Sequence, residues 1–167
     1  NADSWYEIGF LYWEGKGVEK DPVSAVSCYE RELALDPDHM GANNHLGRAY
    51  FLGEGVPQDY AKAFRHLSVA YFKRDSKWGA FYLAKCAFNG WGSPQDYGQA
   101  LRFLNDVTWK NQEADYMRGV IYARGLGGVA ADIPKGVAFL QKAGDFDKAR
   151  EELLHYKKTL FGKWVRR

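Results

Sequence analysis

Cysteine, histidine, methionine and proline are all scarce in this chain. Two cysteines, four histidines, two methionines and five prolines are spread over 167 residues. Two cysteines cannot make a disulfide framework, and Cys28 and Cys86 fall at different helical positions far apart in the sequence. We expect buried free thiols, which lean toward a reducing compartment. The histidines, His39, His45, His66 and His155, include no Glu-x-x-His or His-x-x-x-His spacing, so no metal site is expected. They read as surface or partly satisfied side chains. Charge of one sign is also lacking: the formal net charge of +2 is too small to argue for a nucleic-acid or membrane surface. No apolar run approaches the roughly 20 residues of a membrane-spanning helix. No signal segment is visible, and Asn1-Ala2 looks like the stub of a tag. Residues 1–3 are therefore read as a remnant or leader, and the chain as a piece of a longer protein, whose export signal or partner domain would lie outside it.

What the chain has in quantity is glycine, 18 residues of it, and the glycines are periodic. Gly15-Lys16-Gly17-Val18-Glu19-Lys20-Asp21 returns as Gly53-Glu54-Gly55-Val56-Pro57-Gln58-Asp59 and as Gly90-Trp91-Gly92-Ser93-Pro94-Gln95-Asp96. A fourth copy begins at Gly125, carries the extra Gly128 and ends at Asp132. The leading glycines are 38, 37 and 35 residues apart. A fixed period of this length means stacked supersecondary units. With 46% hydrophobic residues the composition is that of a folded domain.

Each glycine pair follows a helical pattern and precedes another. Ile8, Gly9 and Tyr12 recur as Leu46, Gly47 and Tyr50, and Gly119 and Tyr122 repeat the phase. A glycine inside a helix costs about 1 kcal/mol relative to alanine, so its return at one phase predicts close contact with a neighbouring helix. The Gly-x-Gly segment then stops the first helix, since glycine suits a left-handed C-cap. Asp21, Asp59, Asp96 and Asp132 stand where a second helix needs an N-cap, and Pro22 follows as a first-turn proline. The second helix repeats Ala25, Val26 and Tyr29; Ala63, Phe64 and Leu67; Ala100, Leu101 and Leu104; and Gly136, Val137 and Leu140.

The run Ala42, Leu46, Gly47, Tyr50, Gly53, Gly55, Val56, Asp59, Ala63 resembles the Sel1-like repeats, relatives of the tetratricopeptide repeats. The first copy follows the pattern with Ser4 for the leading alanine. The third departs from it at Ala84, Ala87 and Ser93, and the fourth at Gly128. The resemblance implies an all-α, right-handed solenoid of four helix-turn-helix repeats over about 4–38, 39–77, 78–112 and 113–144. A closing helix and basic tail would occupy 145–167. Phe146, Ala149, Leu153, Tyr156, Leu160 and Phe161 suggest that helix, and Lys157, Lys158, Lys163, Arg166 and Arg167 make its end basic.

No catalytic constellation accompanies these repeats. The glycine motif lacks a Gly-Lys-Ser/Thr ending and follows a helix where a phosphate loop follows a strand. The four aspartates read as caps rather than acid/base pairs. The resemblance implies that the first helix of each repeat lines a concave wall. Counting from the helix glycine, four residues on come Trp13, Phe51, Phe88 and Ala123. One residue on come Phe10, Arg48, Lys85 and Val120, and five on come Glu14, Leu52, Asn89 and Arg124. Three before come Tyr6, Asn44, Phe81 and Tyr116.

The candidate binding residues are accordingly Tyr6, Phe10, Trp13, Arg48, Phe51, Lys85, Phe88 and Arg124, although aromatics at these positions also serve packing between helices. The leading expectation is a non-enzymatic, monomeric scaffold that holds a protein or peptide segment, with the cations favouring an acidic one. No cofactor, nucleic acid or direct membrane insertion of this segment is expected. The alternative is a spacer or regulatory module of a larger enzyme or membrane-associated assembly.

Overall fold

A computed structural model describes residues 4–74 and 76–167. The expected remnant at residues 1–3 lies outside the described residues. The chain divides into two compact units, the first running to Pro94 and the second from Gln95 to Arg167.

In the first unit, helices α1 (Trp5–Glu14) and α2 (Pro22–Leu35) form one hairpin, and α3 (Met40–Leu52) and α4 (Tyr60–Arg74) a second. Helix α5 (Ala80–Asn89) packs on α4. Each turn is built as the glycine pattern predicts. Gly15, Gly53 and Gly90 sit in the left-handed region at φ 69°, 70° and 73° and end α1, α3 and α5. The aspartates then do two jobs at once. The Asp21 and Asp59 N–H groups donate to the Tyr12 and Tyr50 carbonyls at 2.9 Å. Their carboxylates accept from the first turn of the next helix, Asp21 from Val23 and Ser24 and Asp59 from Lys62. Ser24 Oγ also donates to Asp21, and these bonds hold its carboxyl below the usual carboxylate range.

The helix glycines are contact points between the two arms of a hairpin. A β-carbon at Gly9 would come within 2.7 Å of the Tyr29 ring, and one at Gly47 within 2.7 Å of Leu67 Cδ2. Tyr29, Leu46, Leu67 and Leu83 are fully buried around these contacts. Full burial of such a side chain stabilises by about 1.5–3 kcal/mol. Cys28 and Cys86 are buried free thiols, and burial pushes Cys86 up to about 12.

In the second unit, α6 (Tyr97–Asn105) is followed by the hairpin α7 (Gln112–Arg124) and α8 (Ile133–Lys142). Gly119 repeats the close approach, here to Leu140 at 2.6 Å. The Asp132 N–H donates to Tyr122 O at 2.8 Å, and its carboxylate caps α8 through Lys135 N. Arg118 of α7 donates to Leu104 O in the last turn of α6 and to Val107 O just beyond it at 2.8 Å, and pairs with buried Asp115 at 2.9 Å. The closing helix α9 (Asp147–Leu153) is shorter than the apolar spacing through Phe161 suggests. After it the chain forms an antiparallel hairpin of β1 (Tyr156–Lys158) and β2 (Trp164–Arg166), with Tyr156 paired to Arg166 and Lys158 to Trp164. Past the helix end, the Tyr156 hydroxyl still donates to the buried Glu152 carboxylate at 3.0 Å and ties the start of β1 to α9.

Candidate functional site

The first unit carries a cleft of about 480 Å³. Tyr6, Phe10 and Glu14 line it from α1, and Met40, Asn44, His45 and Arg48 from α3. Ser76 and Trp78, just before α5, close one side. The helix geometry explains this set. At about 100° per residue, the positions one and five after the helix glycine lie about 100° and 140° from the face that meets the second helix. Phe10, Arg48 and Glu14 occupy those positions.

Position four after the glycine lies only about 40° round, on the packing side. Trp13 and Phe51, both candidates from the sequence, are indeed core residues at 2% and 4% exposure. Trp13 packs on Tyr29, and Phe51 on Tyr60, Tyr82 and Trp91. Phe88 is half-buried. Lys85 stands 5.3 Å from the Phe51 ring and 5.5 Å from the Phe81 ring, a cation over aromatics rather than a wall of the cleft. Arg124 belongs to the second unit, where Glu152 holds it in a bidentate pair that includes Nε to Oε1 at 2.9 Å. Of the eight candidates, the structure brings Tyr6, Phe10 and Arg48 together in the cleft.

Three polar atoms in this cleft are buried without a partner: Asn44 Oδ1, His45 Nδ1 and Arg48 Nε. Asn44 is 6% exposed, and its amide nitrogen donates to Ser76 Oγ at 2.7 Å, which leaves its Oδ1 as the unmatched acceptor. Arg48 lies over the Trp13 ring at 5.4 Å, and no described carboxylate comes within ion-pairing distance of it. Leaving a buried polar atom unmatched typically costs about 1–3 kcal/mol, and these three have no protein partner.

His45 is the residue that sequence reasoning missed. It is 8% exposed and walled by aromatic rings: Tyr29 stacks on it at 5.1 Å, and Tyr6, Phe10, Trp13 and Trp78 approach within 5.9 Å. Burial, and secondly the Arg48 charge, lower its pKa to about 4, so the ring is neutral near pH 7. The helical phase shows why: two residues before the helix glycine, His45 lies about 160° from the packing face, beside the cleft positions, and its burial comes from rings of other elements.

A larger hollow, about 570 Å³, opens in the second unit between Tyr122, residues 129–134 and Trp164. No buried unpartnered side-chain atom lines it. Among the described residues no group of three or more His, Cys, Asp or Glu side chains is placed to hold a metal ion.

Capped helix hairpins in phase, with a polar-floored aromatic cleft, define an all-α repeat protein of the solenoid class. The Sel1 repeat pattern matches residues 2–31, 41–71, 79–105 and 112–145, and the chain belongs to the Sel1 repeat family. A protective antigen of uropathogenic Escherichia coli strains, displaying an SLR fold, is similar at 27% identity and a TM-score of 0.67. That match covers 83% of this chain and 29% of the antigen. A Sel1 repeat protein from Oxalobacter formigenes matches with a TM-score of 0.67 at 24% identity, covering 92% of this chain and 63% of that one. This chain therefore spans less than two thirds of either. Repeat proteins of this kind generally serve as protein-interaction scaffolds and are typically non-catalytic.

Proposed function

We propose that the chain is a non-enzymatic binding module that holds an extended polypeptide segment in the α1–α3 cleft. One observation carries the reading. Arg48 presents a guanidinium with no carboxylate partner on the floor of an aromatic cleft, beside the unused acceptor of Asn44. An arginine is a planar, bidentate donor for a carboxylate, and Asn44 Oδ1 is an acceptor for a backbone N–H. Tyr6, Phe10 and Trp78 add apolar area on which a neighbouring side chain can rest. Glu14 on the α1 rim orients the segment, because an acidic group is favoured near Arg48 and disfavoured near Glu14.

The test is a titration with arrayed 12-residue peptides that carry one aromatic and one acidic residue, each set against its Glu→Gln or Asp→Asn twin. Preferential binding of the acidic forms, reduced at least tenfold by Arg48→Gln and unaffected by Lys135→Glu in the second unit, is the expected result. Equal binding of acidic and neutral twins, or indifference to Arg48→Gln in a variant with native helicity, rejects this use of the cleft. A second reading, that the chain is a spacer or regulatory module of a longer protein, is favoured by the 29% and 63% of the matched chains that it spans. A full reading frame with a catalytic domain or membrane anchor beyond this segment supports it.

A further inference from the structure

The β1–β2 hairpin carries an unusual pair of side chains at its tip. Gly162 N donates to Thr159 O at 2.9 Å, which closes a four-residue turn with Leu160 and Phe161 at its centre. Gly162 supplies the left-handed residue at φ 78°, so many residue types fit the turn centre, but exposed loop tips ordinarily carry polar or small side chains. Here two large apolar side chains stand there, 103% and 93% exposed. Local rules are usually broken where a function requires it.

The tip is held out on a braced stem. The strands pair from Tyr156↔Arg166 to Lys158↔Trp164, and Thr159 N donates to Lys163 O at 2.7 Å. Arg167 N donates to His155 O at the base. Tyr156 is buried at 3%, and its hydroxyl donates to Glu152, the same buried carboxylate that Arg124 of α7 grips. Burial pushes the Glu152 carboxyl up, but the Arg124 and Tyr156 hydrogen bonds outweigh it and hold the group ionised. The hairpin is thus tied to the helices at its base, with the turn at the far end.

Charge is segregated onto the same element. Residues 155–167 contain Lys157, Lys158, Lys163, Arg166 and Arg167 and no acidic residue, while the rest of the chain carries 18 basic against 21 acidic side chains. The five cations are all exposed, and none forms an ion pair among the described residues. Lys158 and Lys163 flank the turn directly. At roughly 3.3 Å per strand residue, Lys157 is within about 10 Å of it.

We infer that this hairpin docks on an anionic lipid bilayer, with Leu160 and Phe161 entering the headgroup–acyl boundary and the five cations meeting lipid phosphates and carboxylates. A projecting two-residue apolar tip has too little area to form a protein interface core, but a deformable surface closes around it. Basic side chains around an apolar wedge are the complement of that surface. The contact is interfacial: no described helix is long and apolar enough to cross a membrane. It is independent of the α1–α3 cleft and stands if that cleft is shown to bind nothing.

The test is co-sedimentation of the whole chain with phosphatidylcholine vesicles and with 3:1 phosphatidylcholine:phosphatidylserine vesicles, at 0.1 M and 0.5 M salt. Binding to the phosphatidylserine vesicles is expected, at least tenfold above phosphatidylcholine alone and weakened by high salt. The Leu160→Ser/Phe161→Ser pair should reduce it at least tenfold, and circular dichroism should show that pair folded, since both side chains are exposed. No binding overturns the inference, as does salt-sensitive binding that ignores the double substitution. So does binding equally strong to both vesicle types. Soluble poly-glutamate that binds with the same dependence on Leu160 and Phe161 overturns it in favour of an acidic protein partner.

Discussion

Gly55, the second glycine of its turn, rests directly on the Pro22 carbonyl at the start of α2, and a β-carbon there would overlap that carbonyl. Gly92 meets Tyr60 of α4 in the same way, and Gly127 meets Gly98 and Tyr97 of α6. From the second pair onward, the second glycine is therefore where one repeat touches the second helix of the repeat before it. Gly17, at φ 74°, has nothing within 4 Å of its would-be β-carbon, whereas Gly55, at φ 77°, is pressed against Pro22. Gly17→Ala should thus cost only the left-handed backbone penalty, about 1–2 kcal/mol. Gly55→Ala should cost that plus about 1–3 kcal/mol for overpacking. Urea denaturation of the two variants measures the difference, and equal losses would remove the stacking role of Gly55.

The first-helix glycines make a parallel prediction within a hairpin. Gly47→Val drives its side chain into Leu67 and the Leu67 backbone nitrogen at 3.2 Å, so it should destabilise by on the order of 2 kcal/mol or more. An unchanged melting temperature would contradict the close contact between α3 and α4.

Two neutral histidines set an acid limit. His45 and His66 both have pKa values lowered from 6.5 to about 4, by burial first and then by nearby cations, Arg48 for His45 and Arg65 and Lys62 for His66. The unfolded chain binds these protons more readily than the folded one. Their contribution is therefore complete above about pH 6.5 and is lost as pH falls toward 4. For His45, which is 8% exposed, the loss is on the order of 2–3 kcal/mol. The Glu14 charge works against this shift by favouring the protonated His45 ring. Denaturation midpoints across pH 4–7 should rise with pH, and His45→Phe should flatten part of the slope.

The repeat, its caps and its helix contacts were legible in the sequence because each is a local rule that recurs, the caps four times and the helix glycine three. Asp21, Asp59, Asp96 and Asp132 each accept from a backbone N–H at the start of the following helix. Less was legible where the deciding partner is distant in sequence. Gly55 reads as a turn glycine until Pro22 is placed against it. Arg124 has the phase of a wall residue, but Glu152 of α9 takes it up. Tyr156, Leu160 and Phe161 fit a helical spacing, but the chain pairs Tyr156 with Arg166 across a hairpin and turns at Gly162. His45 shares a helix with Arg48, yet its cage is assembled from α1, α2 and Trp78.

Arg118 gives the second unit a testable dependence on one side chain. It pairs with Asp115, which is 1% exposed, and donates to two carbonyls at the end of α6. Lys142 also reaches Asp115, at 3.2 Å, but is itself largely exposed. Arg118→Met leaves Asp115 buried with only that solvated partner, and should cost about 3–5 kcal/mol. Thermal denaturation checks it, and Arg118→Met/Asp115→Leu should recover much of the loss.

The most direct measurement of the central claim is the side-chain Nε–H resonance of Arg48 in a ¹⁵N-labelled sample during titration with an acidic peptide that binds. Arg48 Nε is buried and donates to no protein acceptor. A downfield shift of that resonance, saturating with the peptide and absent with the neutral twin, is the result the account predicts. Saturable binding of the acidic peptide that leaves the Arg48 resonance unmoved would contradict it.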